Sequence, residues 1–448
     1  MKARYLFIII FSIISCSKTA FETEIISNDT ESSTIIINKN DRSIAEAINI
    51  AQNAISSFFP TIESHSDKNR TIGISNITPY TIHSNVSAID TLMYIVNFEQ
   101  DNGFAIVSKH RNAPELIAIV NSGHYTQGQT TNPGLNLFID EIAFNLSKTN
   151  NFIIPENDYN GFEVKQDVSE DENVNEPMIS AKWHQRFPFN KYCPSDTPTG
   201  CVSLAIALTL SAKNYPTSIN LTFPNAPNNS TSLNWQEINK IDHNSSCESS
   251  CTYCDQIALL IREAGHRVNT EYKSDGSSAS SSKYAVKCFE SFGFKTDDYI
   301  DYDLVTVLNS LGNQCPVYIT ARNDEDKGHA WVVDGSKYLY KRVDTYQRDP
   351  SQGHTLWTLS NYNITKTWYL HMNYGWGDGS SGYFIAQQHV KAKGNLTYNK
   401  ELDYYPVRMF TGESGFDNSV KIIPNINISM NFYPSIISVP LKWDELNN

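Results

Sequence analysis

In residues 41–149, apolar and polar positions alternate at the spacings of helices and strands. Helical spacing predicts a helix over residues 44–59, with Ser43 as its N-cap and Pro60 as its stop. A second amphipathic pattern follows Pro133-Gly134. Three apolar runs predict strands, at residues 93–98, 104–108 and 116–120. These residues are therefore predicted to form a small α+β region.

The apolar pattern changes at residue 201. Polar turn residues 192–200 run directly into residues 202–212, whose apolar side chains lie on every face of a helix. Such a helix belongs in a core. Cys201 is thus predicted at the N-terminus of a buried helix, where free N–H groups favour thiolate over thiol. Gly200 allows a tight turn that leaves the sulfur accessible. A buried structural cysteine is the alternative interpretation.

Beyond this helix, helical patterns precede apolar strand patterns. Helices are predicted at residues 256–264 and 283–292, and strands at residues 316–320, 328–335 and 369–373. Helices that come first and strands that follow favour an α+β fold over an alternating parallel sheet.

The first 40 residues predict export. Residues 1–15 combine two basic residues with an apolar run too short to span a bilayer, which is typical of a signal peptide. The segment ends Ile13-Ile14-Ser15-Cys16 and is similar to a bacterial lipobox, so Cys16 is predicted to be lipidated; an ordinary signal peptide with an incidental cysteine is the alternative. Residues 16–40 are polar and predict a tether.

A second polar segment separates the two α+β regions. Residues 167–176 hold five acidic side chains, at Asp167, Glu170, Asp171, Glu172 and Glu176. Their composition predicts an exposed linker, and exposed linkers are sites of proteolysis. Cleavage is therefore predicted between about Lys165 and Lys182.

Composition sets limits on size and partners. The 448 residues are 40% hydrophobic, which is enough for a large core in two domains. A net charge of −13 and a pI near 5.3 argue against nucleic acid and against anionic membrane surfaces as partners. Membrane contact is expected through the lipid anchor only, and no cofactor is predicted.

Four residues in a fixed order suggest nucleophilic catalysis. A cysteine nucleophile needs a base, and the base needs a group that orients it. His329 opens a predicted strand and Asn373 ends a later one, so an imidazole held by an amide is possible, as in Cys-His-Asn sites. Gln185, on the loop before Cys201, can donate to an oxyanion. Taken alone, each signal is weak: His329 can be a strand-end histidine with satisfied hydrogen bonds, and Gln185 an ordinary surface glutamine.

Neighbouring residues support the same hypothesis. Tyr374 and Trp376, in the glycine-rich turn after Asn373, can shield a His–Asn hydrogen bond from water, although plain packing also explains them. Gly328 ends the flexible polar segment before His329 and is counted, with Gly200, among the residues that line or shield the site.

The remaining cysteines allow three interpretations. In an exported chain, disulfides are expected within one set: Cys193, Cys247, Cys251, Cys254, Cys288 and Cys315. The spacing of another set offers four zinc-type ligands: His243, Cys247, Cys251 and Cys254. Free thiols are the third possibility.

Five stretches together resemble the streptopain-like cysteine peptidases of the papain group. They are Trp183-His184-Gln185, residues 199–203, the Ser/Gly loop at 274–282, residues 328–335, and Asn373-Tyr374-Gly375-Trp376-Gly377. The strands at 94–108 are similar to the family's propeptide. The resemblance implies a papain-like domain, in which the helix that carries the cysteine packs on an antiparallel sheet, preceded by a propeptide that blocks the site. It also implies endopeptidase activity with preference for an apolar residue two positions before the cut.

The sequence departs from the family at several places. Tyr374 stands where the family usually has tryptophan, a polar insertion lies between residues 335 and 370, and residues 412–448 have no counterpart. The expected organisation is a signal peptide (1–15), a tether (16–40), a propeptide with acidic linker (41–176), a peptidase domain (177–411) and an extension of unknown role (412–448).

The function predicted from the sequence is that of a lipid-anchored cysteine endopeptidase of the cell envelope, made as a zymogen, whose mature domain can be released. Its partners would be protein or peptide substrates and its own propeptide. The alternatives are a Cys-His peptidoglycan amidase and a catalytically silent binding lipoprotein.

Overall fold

The computed structural model describes residues 41–60, 72–83, 89–129, 132–149, 161–242, 247, 251–273, 278–322, 328–353, 356–377, 381–393, 401–408 and 420–428. The predicted signal peptide, Cys16 and the predicted tether lie outside the described residues. None of the helices in the described part of the chain is long and apolar enough to cross a bilayer.

The helices are α1 (Ile44–Phe58), α2 (Pro133–Thr149), α3 (Cys201–Ser211), α4 (Trp235–Ile238), α5 (Thr252–Arg267), α6 (Ala285–Ser291) and α7 (Leu304–Gly312). The strands up to residue 300 are β1 (Ile74–His83), β2 (Ile89–Phe98), β3 (Phe104–Ser108), β4 (Leu116–Val120), β5 (Glu163–Asn175), β6 (Ser218–Asn220), β7 (Ser230–Ser232), β8 (Glu271–Tyr272), β9 (Ser278–Ala279) and β10 (Phe294–Lys295). The later strands are β11 (Ile300–Asp301), β12 (Val317–Arg322), β13 (Gly328–Arg348), β14 (Thr358–Asn373), β15 (Ser381–Lys393), β16 (Glu401–Arg408), β17 (Lys421–Ile423) and β18 (Asn427–Ile428).

The predicted α+β class is confirmed. One 12-stranded sheet has the order β1-β2-β3-β4-β15-β14-β13-β12-β17-β11, with β16 beside β15 and β5 beside β13. The pairings between its described strands are antiparallel. The N-terminal strands therefore join the later strands in one sheet, through β4 and β15, instead of forming a separate sheet.

The N-terminal region follows the sequence pattern closely. Helix α1 begins at a capping box, in which the Ser43 side chain accepts from the Glu46 N–H and the Glu46 carboxylate accepts from the Ser43 N–H. Strands β2, β3 and β4 lie at the predicted runs, and all residues of β3 and β4 are buried.

The core has two parts, one on each face of the central strands. Strand β13 shows the division, because successive side chains of a strand point to opposite faces. Trp331 and Val333 pack with the N-terminal region. Ala330 and Val332 pack with α3, α5 and α6. Helix α3 is buried at every position after Cys201, as its all-round apolar pattern predicts.

The long hairpin β13–β14 differs from the prediction of short strands. Strand β13 continues to Arg348 and β14 begins at Thr358, so the polar insertion at 335–370 is an extension of the sheet. The polar side chains of this half-exposed hairpin give it the composition of a loop. Pairing between β13 and β14 makes it part of the sheet instead.

The acidic segment is also a strand. Residues 163–175 form β5, which is exposed, as expected, but pairs with β13 along its whole length instead of lying free as a linker. Part of the C-terminal extension is structural as well, because β17 pairs with β12 and buries Ile422 and Ile423.

Candidate active site

Cys201 is the first residue of α3, and a sharp turn places it there. Gly200 precedes it with φ of +88°, a conformation that favours glycine. A Cβ on Gly200 would lie 3.1 Å from Oγ of Ser280 and 3.4 Å from Oγ of Ser278. The turn is thus held against β9, and Cys201 as a residue is half-buried while the rest of the helix is buried.

Backbone donors surround this sulfur. The N–H groups of Cys201, Val202 and Ala330 are directed at it, and the charge of Arg322 acts in the same direction. Burial nevertheless dominates and raises the pKa of the Cys201 thiol, with these groups opposing the shift. In this form of the protein, Cys201 is therefore a thiol. The other buried cysteines lack such a group of donors, and burial raises the pKa of Cys193 to about 11 and of Cys288 to about 12.

The backbone of His329 lies near Cys201, but its side chain faces away from the sulfur. The next residue, Ala330, directs its N–H to the sulfur and packs on the α3 face of β13. His329 therefore points to the opposite face, where its ring stacks on Trp331 with centroids 6.2 Å apart and an interplanar angle of 16°. Among the described residues, no hydrogen bond joins the His329 ring to the Cys201 sulfur.

The imidazole has one fixed partner. Nε2 of His329 lies 3.0 Å from the main-chain oxygen of Tyr374. Because a carbonyl only accepts, Nε2 carries the proton and Nδ1 is the basic nitrogen. Burial lowers the pKa of His329 to about 4, with the hydrogen bond to Tyr374 opposing the shift. The imidazole is neutral near pH 7, so the ion pair expected of a working Cys-His site is not formed in this conformation.

Asn373 lies on the α3 face, apart from His329. It pairs across the ladder with Val332, whose side chain packs with α3. Its Nδ2 donates to the carbonyl of Ala181 over 3.1 Å, and its Oδ1 accepts from the N–H of Gly375 over 3.0 Å. Within the described contacts, Asn373 does not touch the imidazole; the two side chains point to opposite sides of the sheet.

A main-chain hydrogen bond holds Gln185 beside the turn that precedes Cys201. Its carbonyl accepts from the N–H of Thr199 over 3.0 Å, two residues before the cysteine. The carbonyl of Trp183 accepts from Gly377 over 3.1 Å. The loop that carries Gln185 is therefore tied to the turn before Cys201 and to the turn after Asn373.

The two aromatic residues predicted to shield the site lie beside His329. The Trp376 ring meets the imidazole edge to face at 6.1 Å, and the Tyr374 ring lies 6.5 Å away. Gly375 between them packs on α3, because a Cβ there would lie 2.8 Å from Cδ2 of Leu204. Gly328 opens β13 and is exposed, with Cγ of Arg322 3.0 Å from the position of a Cβ.

Helix α2 closes the site from the N-terminal region. A Cβ on Gly134 would lie 2.3 Å from Cδ1 of Tyr374 and 2.6 Å from Cδ2 of His329, so only glycine fits there. Oδ1 of Asn132 accepts from the N–H groups of Gly134 and Leu135 and fixes this end of the helix. The sequence marked Pro133-Gly134 only as a helix start, and the contact with His329 was missed because it joins distant parts of the chain.

The remaining cysteines do not form the expected set of disulfides. Cys247 and Cys254 are bonded, and the other described cysteines after residue 192 are free thiols: Cys193, Cys201, Cys251, Cys288 and Cys315. The sulfurs of Cys247, Cys251 and Cys254 lie within 4.8 Å of one another and could together hold a soft metal ion if the disulfide were reduced. His243, the fourth ligand of the zinc alternative, lies outside the described residues.

Comparison with known proteins finds a family match for each of two segments of the chain. Residues 183–384 match the peptidase C10 family, and residues 25–145 match the Spi protease inhibitor family. No curated protein matches the chain.

Two solved structures from Prevotella intermedia are similar to the chain. One is a prointerpain A fragment in which a cysteine is replaced by alanine; it has 18% identity, a TM-score of 0.48 and coverage of 80% of this chain and 100% of that one. The other is the active wild-type interpain A cysteine protease, with 17% identity, a TM-score of 0.35 and coverage of 56% and 94%. At these values the two structures carry no argument about function.

The matched segments confirm the resemblance to streptopain-like enzymes: residues 183–384 are a cysteine peptidase domain of the peptidase C10 family, preceded by an inhibitory propeptide domain in a zymogen.

Proposed function

We propose that the mature enzyme is an endopeptidase that uses Cys201 as nucleophile and His329 as base, with Asn373 as the group that orients the imidazole. The observation that carries this proposal is the position of Cys201 at the start of a buried helix, with the N–H of the residue after His329 directed at its sulfur. Asn373 already lies on the α3 face. Rotation of the imidazole to that face, once α2 has left, would bring the three side chains together.

The reaction follows from these positions. The Cys201 thiolate attacks the scissile carbonyl, and the oxyanion accepts hydrogen bonds from the Gln185 amide and the Cys201 N–H. The His329 imidazolium gives its proton to the leaving amine, which departs as the thioester forms. Neutral His329 then takes a proton from water, which hydrolyses the thioester and restores the thiolate. We expect preference for an apolar residue two positions before the cut.

The zymogen is proposed to mature by cleavage between about Lys165 and Lys182. This interval covers most of β5 and the segment up to Trp183, and its exposed, acidic strand lies at an edge of the sheet. Autolysis would make cleavage depend on Cys201. A Cys201→Ala zymogen that processes itself at the normal rate in isolation would exclude autolysis and indicate an external protease.

Anchoring is proposed through Cys16, which would place the enzyme on the cell envelope. The proposal rests on Ile13-Ile14-Ser15-Cys16 after an export signal. Wild-type protein should partition with membranes and Cys16→Ser should not. Mass spectrometry that finds an unmodified Cys16 at the mature N-terminus would refute it.

The test of function compares two substrates. Processed enzyme is incubated with casein and with purified peptidoglycan, with and without iodoacetamide. Cleavage of casein that iodoacetamide abolishes supports the endopeptidase. Activity on peptidoglycan alone would favour the amidase, and inactivity on both would favour a silent binding protein.

A further inference from the structure

Strand β5 occupies one edge of β13. The two strands are antiparallel and paired from Ser336↔Asn175 to Arg348↔Glu163. The same edge of β13 is covered by β12 over Gly328 to Val333. Strand β5 thus continues the position of β12 along the extended hairpin and satisfies the backbone groups of β13 that would otherwise be open.

The two strands carry opposite charges. Lys341 Nζ lies 2.8 Å from the Glu170 carboxylate, directly across the ladder, and Arg348 Nη2 lies 2.5 Å from that of Glu163. Lys337 Nζ reaches Glu172 over 2.9 Å on the diagonal. Charge matching of this kind selects a partner and its register more than it adds affinity.

Lys337 also joins this edge to the N-terminal region. Its ammonium donates to the carbonyl of Ser57 over 2.9 Å and lies 4.7 Å from the ring centroid of Phe58, and the side chain is buried. Both anchors, α1 and β5, precede the proposed cleavage interval or lie within it. Their departure would leave Lys337 as an accessible cation at the start of an open strand edge.

The face of β13 under the N-terminal region is not tightly filled. A cavity of about 460 Å³ separates α1 from the hairpin, with Ser57 and Phe58 on one side and Leu339, Lys341 and Val343 on the other. Basic and apolar side chains therefore alternate along the face that cleavage would uncover. An open strand edge with such a face binds extended segments by adding a strand to the sheet.

We propose that in the mature enzyme this β13 edge is an exosite for extended acidic segments of protein substrates. The inference rests on the proposed function, because β5 must leave with the propeptide. Strand β5 shows the chemistry that fits: an antiparallel strand with acidic residues opposite Lys341 and Arg348, and with Val164 and Val168 among the residues between them. Arg342 is already paired with Asp344, so its charge is compensated.

The polarity of β5 sets the position of the acidic segment relative to the cut. Strand β13 begins at the active site, and Ser336 lies seven positions beyond His329, about 23 Å along a strand. The chain that leaves β5 at Asn175 runs back towards Gln185, near Cys201. A substrate bound with the same polarity would therefore place its acidic segment upstream of the scissile bond.

The experiment uses enzyme processed from the full chain and three unstructured substrates with one cleavage site. The first substrate carries the sequence of residues 163–175 upstream of the cleavage site, separated from it by about ten residues. The second carries the same tract with every Glu and Asp replaced by Gln and Asn. The third carries the unchanged tract downstream of the cleavage site. We expect kcat/KM for the first to exceed the others about tenfold through KM, since exposed ion pairs contribute modestly. Salt of about 0.5 M should abolish the difference.

Variants separate the exosite from catalysis. K341Q/R348Q should lose the preference, and K240Q, which removes an exposed lysine paired with Glu237, should keep it. All should cleave a short peptide without an acidic tract equally, and inactivity there would count against the proposed function instead. In that event, exosite binding is still measured with a labelled peptide of residues 163–175. The peptide is added to Cys201→Ala protein that has been nicked by an added protease. The uncut zymogen, in which β5 occupies the β13 edge, is the negative control.

Three results would overturn the proposal. They are a mature N-terminus at or before Glu170, which would retain the part of β5 that pairs with Lys341; equal rates for the acidic and neutral upstream tracts; and a preference unchanged in K341Q/R348Q.

Discussion

Gly134 of the propeptide lies directly against the imidazole of His329. A Cβ at Gly134 would stand 2.6 Å from Cδ2 of His329 and 2.3 Å from the Tyr374 ring. The propeptide thus packs on the imidazole, on the face of β13 opposite to Cys201, and removes water from it. Under the proposed function, latency follows from this arrangement, since the proposed base lies away from Cys201 and its protonated form is disfavoured.

The first prediction is that Gly134→Ala weakens this latent contact. An added methyl group must push against two rings, and overpacking of this kind costs about 1–3 kcal/mol, which shifts the closed–open equilibrium by roughly fivefold to 150-fold. Alkylation of Cys201 by iodoacetamide in uncleaved protein, followed by mass spectrometry, should accelerate accordingly. Gly312→Ala is the matched control, because no atom lies within 4 Å of its Cβ position. An unchanged rate in Gly134→Ala would show that α2 does not guard the site.

The second prediction is that acid releases the propeptide. The pKa of His329 is about 4 in the latent form against an ordinary 6.5, so the open form binds more protons between these values. Stability of the latent form is therefore complete above about pH 6.5 and falls as the pH drops towards 4, by up to roughly 3 kcal/mol. Asp140, whose pKa is raised by burial, acts in the opposite sense.

A nicked Cys201→Ala zymogen measures this effect, with the fraction of free propeptide determined by gel filtration at several pH values. His329→Gln, which cannot take up a proton, isolates the contribution of the imidazole from that of Asp140. Release with the same pH dependence in both proteins would contradict the prediction.

The local sequence pattern was enough to predict some helices and strands and not others. The helix after Cys201 follows from apolar residues on all faces, and the start of α1 follows from Ser43 as its N-cap. Strand β13 beyond Gly335 could not be predicted, because its alternating polar residues are stabilised by β14 and β5, not by a core. The acidic β5 is likewise a strand through its partner and not through its own propensity.

The active site was predicted as a list of residues, and its present geometry was not. Cys201, His329, Asn373 and Gln185 belong to elements that converge, and their catalytic roles, inferred from sequence order, stay predictions. On the face of β13 opposite to Cys201, His329 packs against Gly134, which lies 195 positions earlier in the chain. No spacing rule within the peptidase region carries that information.

The third prediction concerns the site variants in processed enzyme. Cys201→Ala and His329→Ala should each abolish cleavage of casein, and the double variant should be little worse, because the two act as one unit. Gln185→Ala should lose on the order of a hundredfold to a thousandfold in kcat, as for one oxyanion donor. Normal cleavage by His329→Ala would exclude it as the base and leave His184, beside Gln185, as the candidate.

Asn373→Ala should lose less activity than Gln185→Ala if Trp376 keeps the imidazole in place. It should cost stability as well, because the buried carbonyl of Ala181 and the N–H of Gly375 lose their partner, at about 1–3 kcal/mol. Urea denaturation measures this loss separately from kcat. A stable Asn373→Ala protein with a large kcat defect would instead indicate that orienting His329 is its main role.

The last prediction is that maturation reverses both pKa shifts at the site. In the zymogen, burial raises the pKa of Cys201 and lowers that of His329, so thiol and imidazole are both neutral near pH 7. Once α2 has left and the imidazole lies beside the sulfur, each charge stabilises the other, so the thiolate titrates lower and the imidazolium higher. The kcat/KM of the processed enzyme should therefore follow a bell in pH, with limbs that belong to the coupled pair. Alkylation of Cys201 should depend on alkaline pH in the zymogen and persist into mild acid after processing. A zymogen and a processed enzyme with the same alkylation profile would show that propeptide release leaves the electrostatics of the site unchanged.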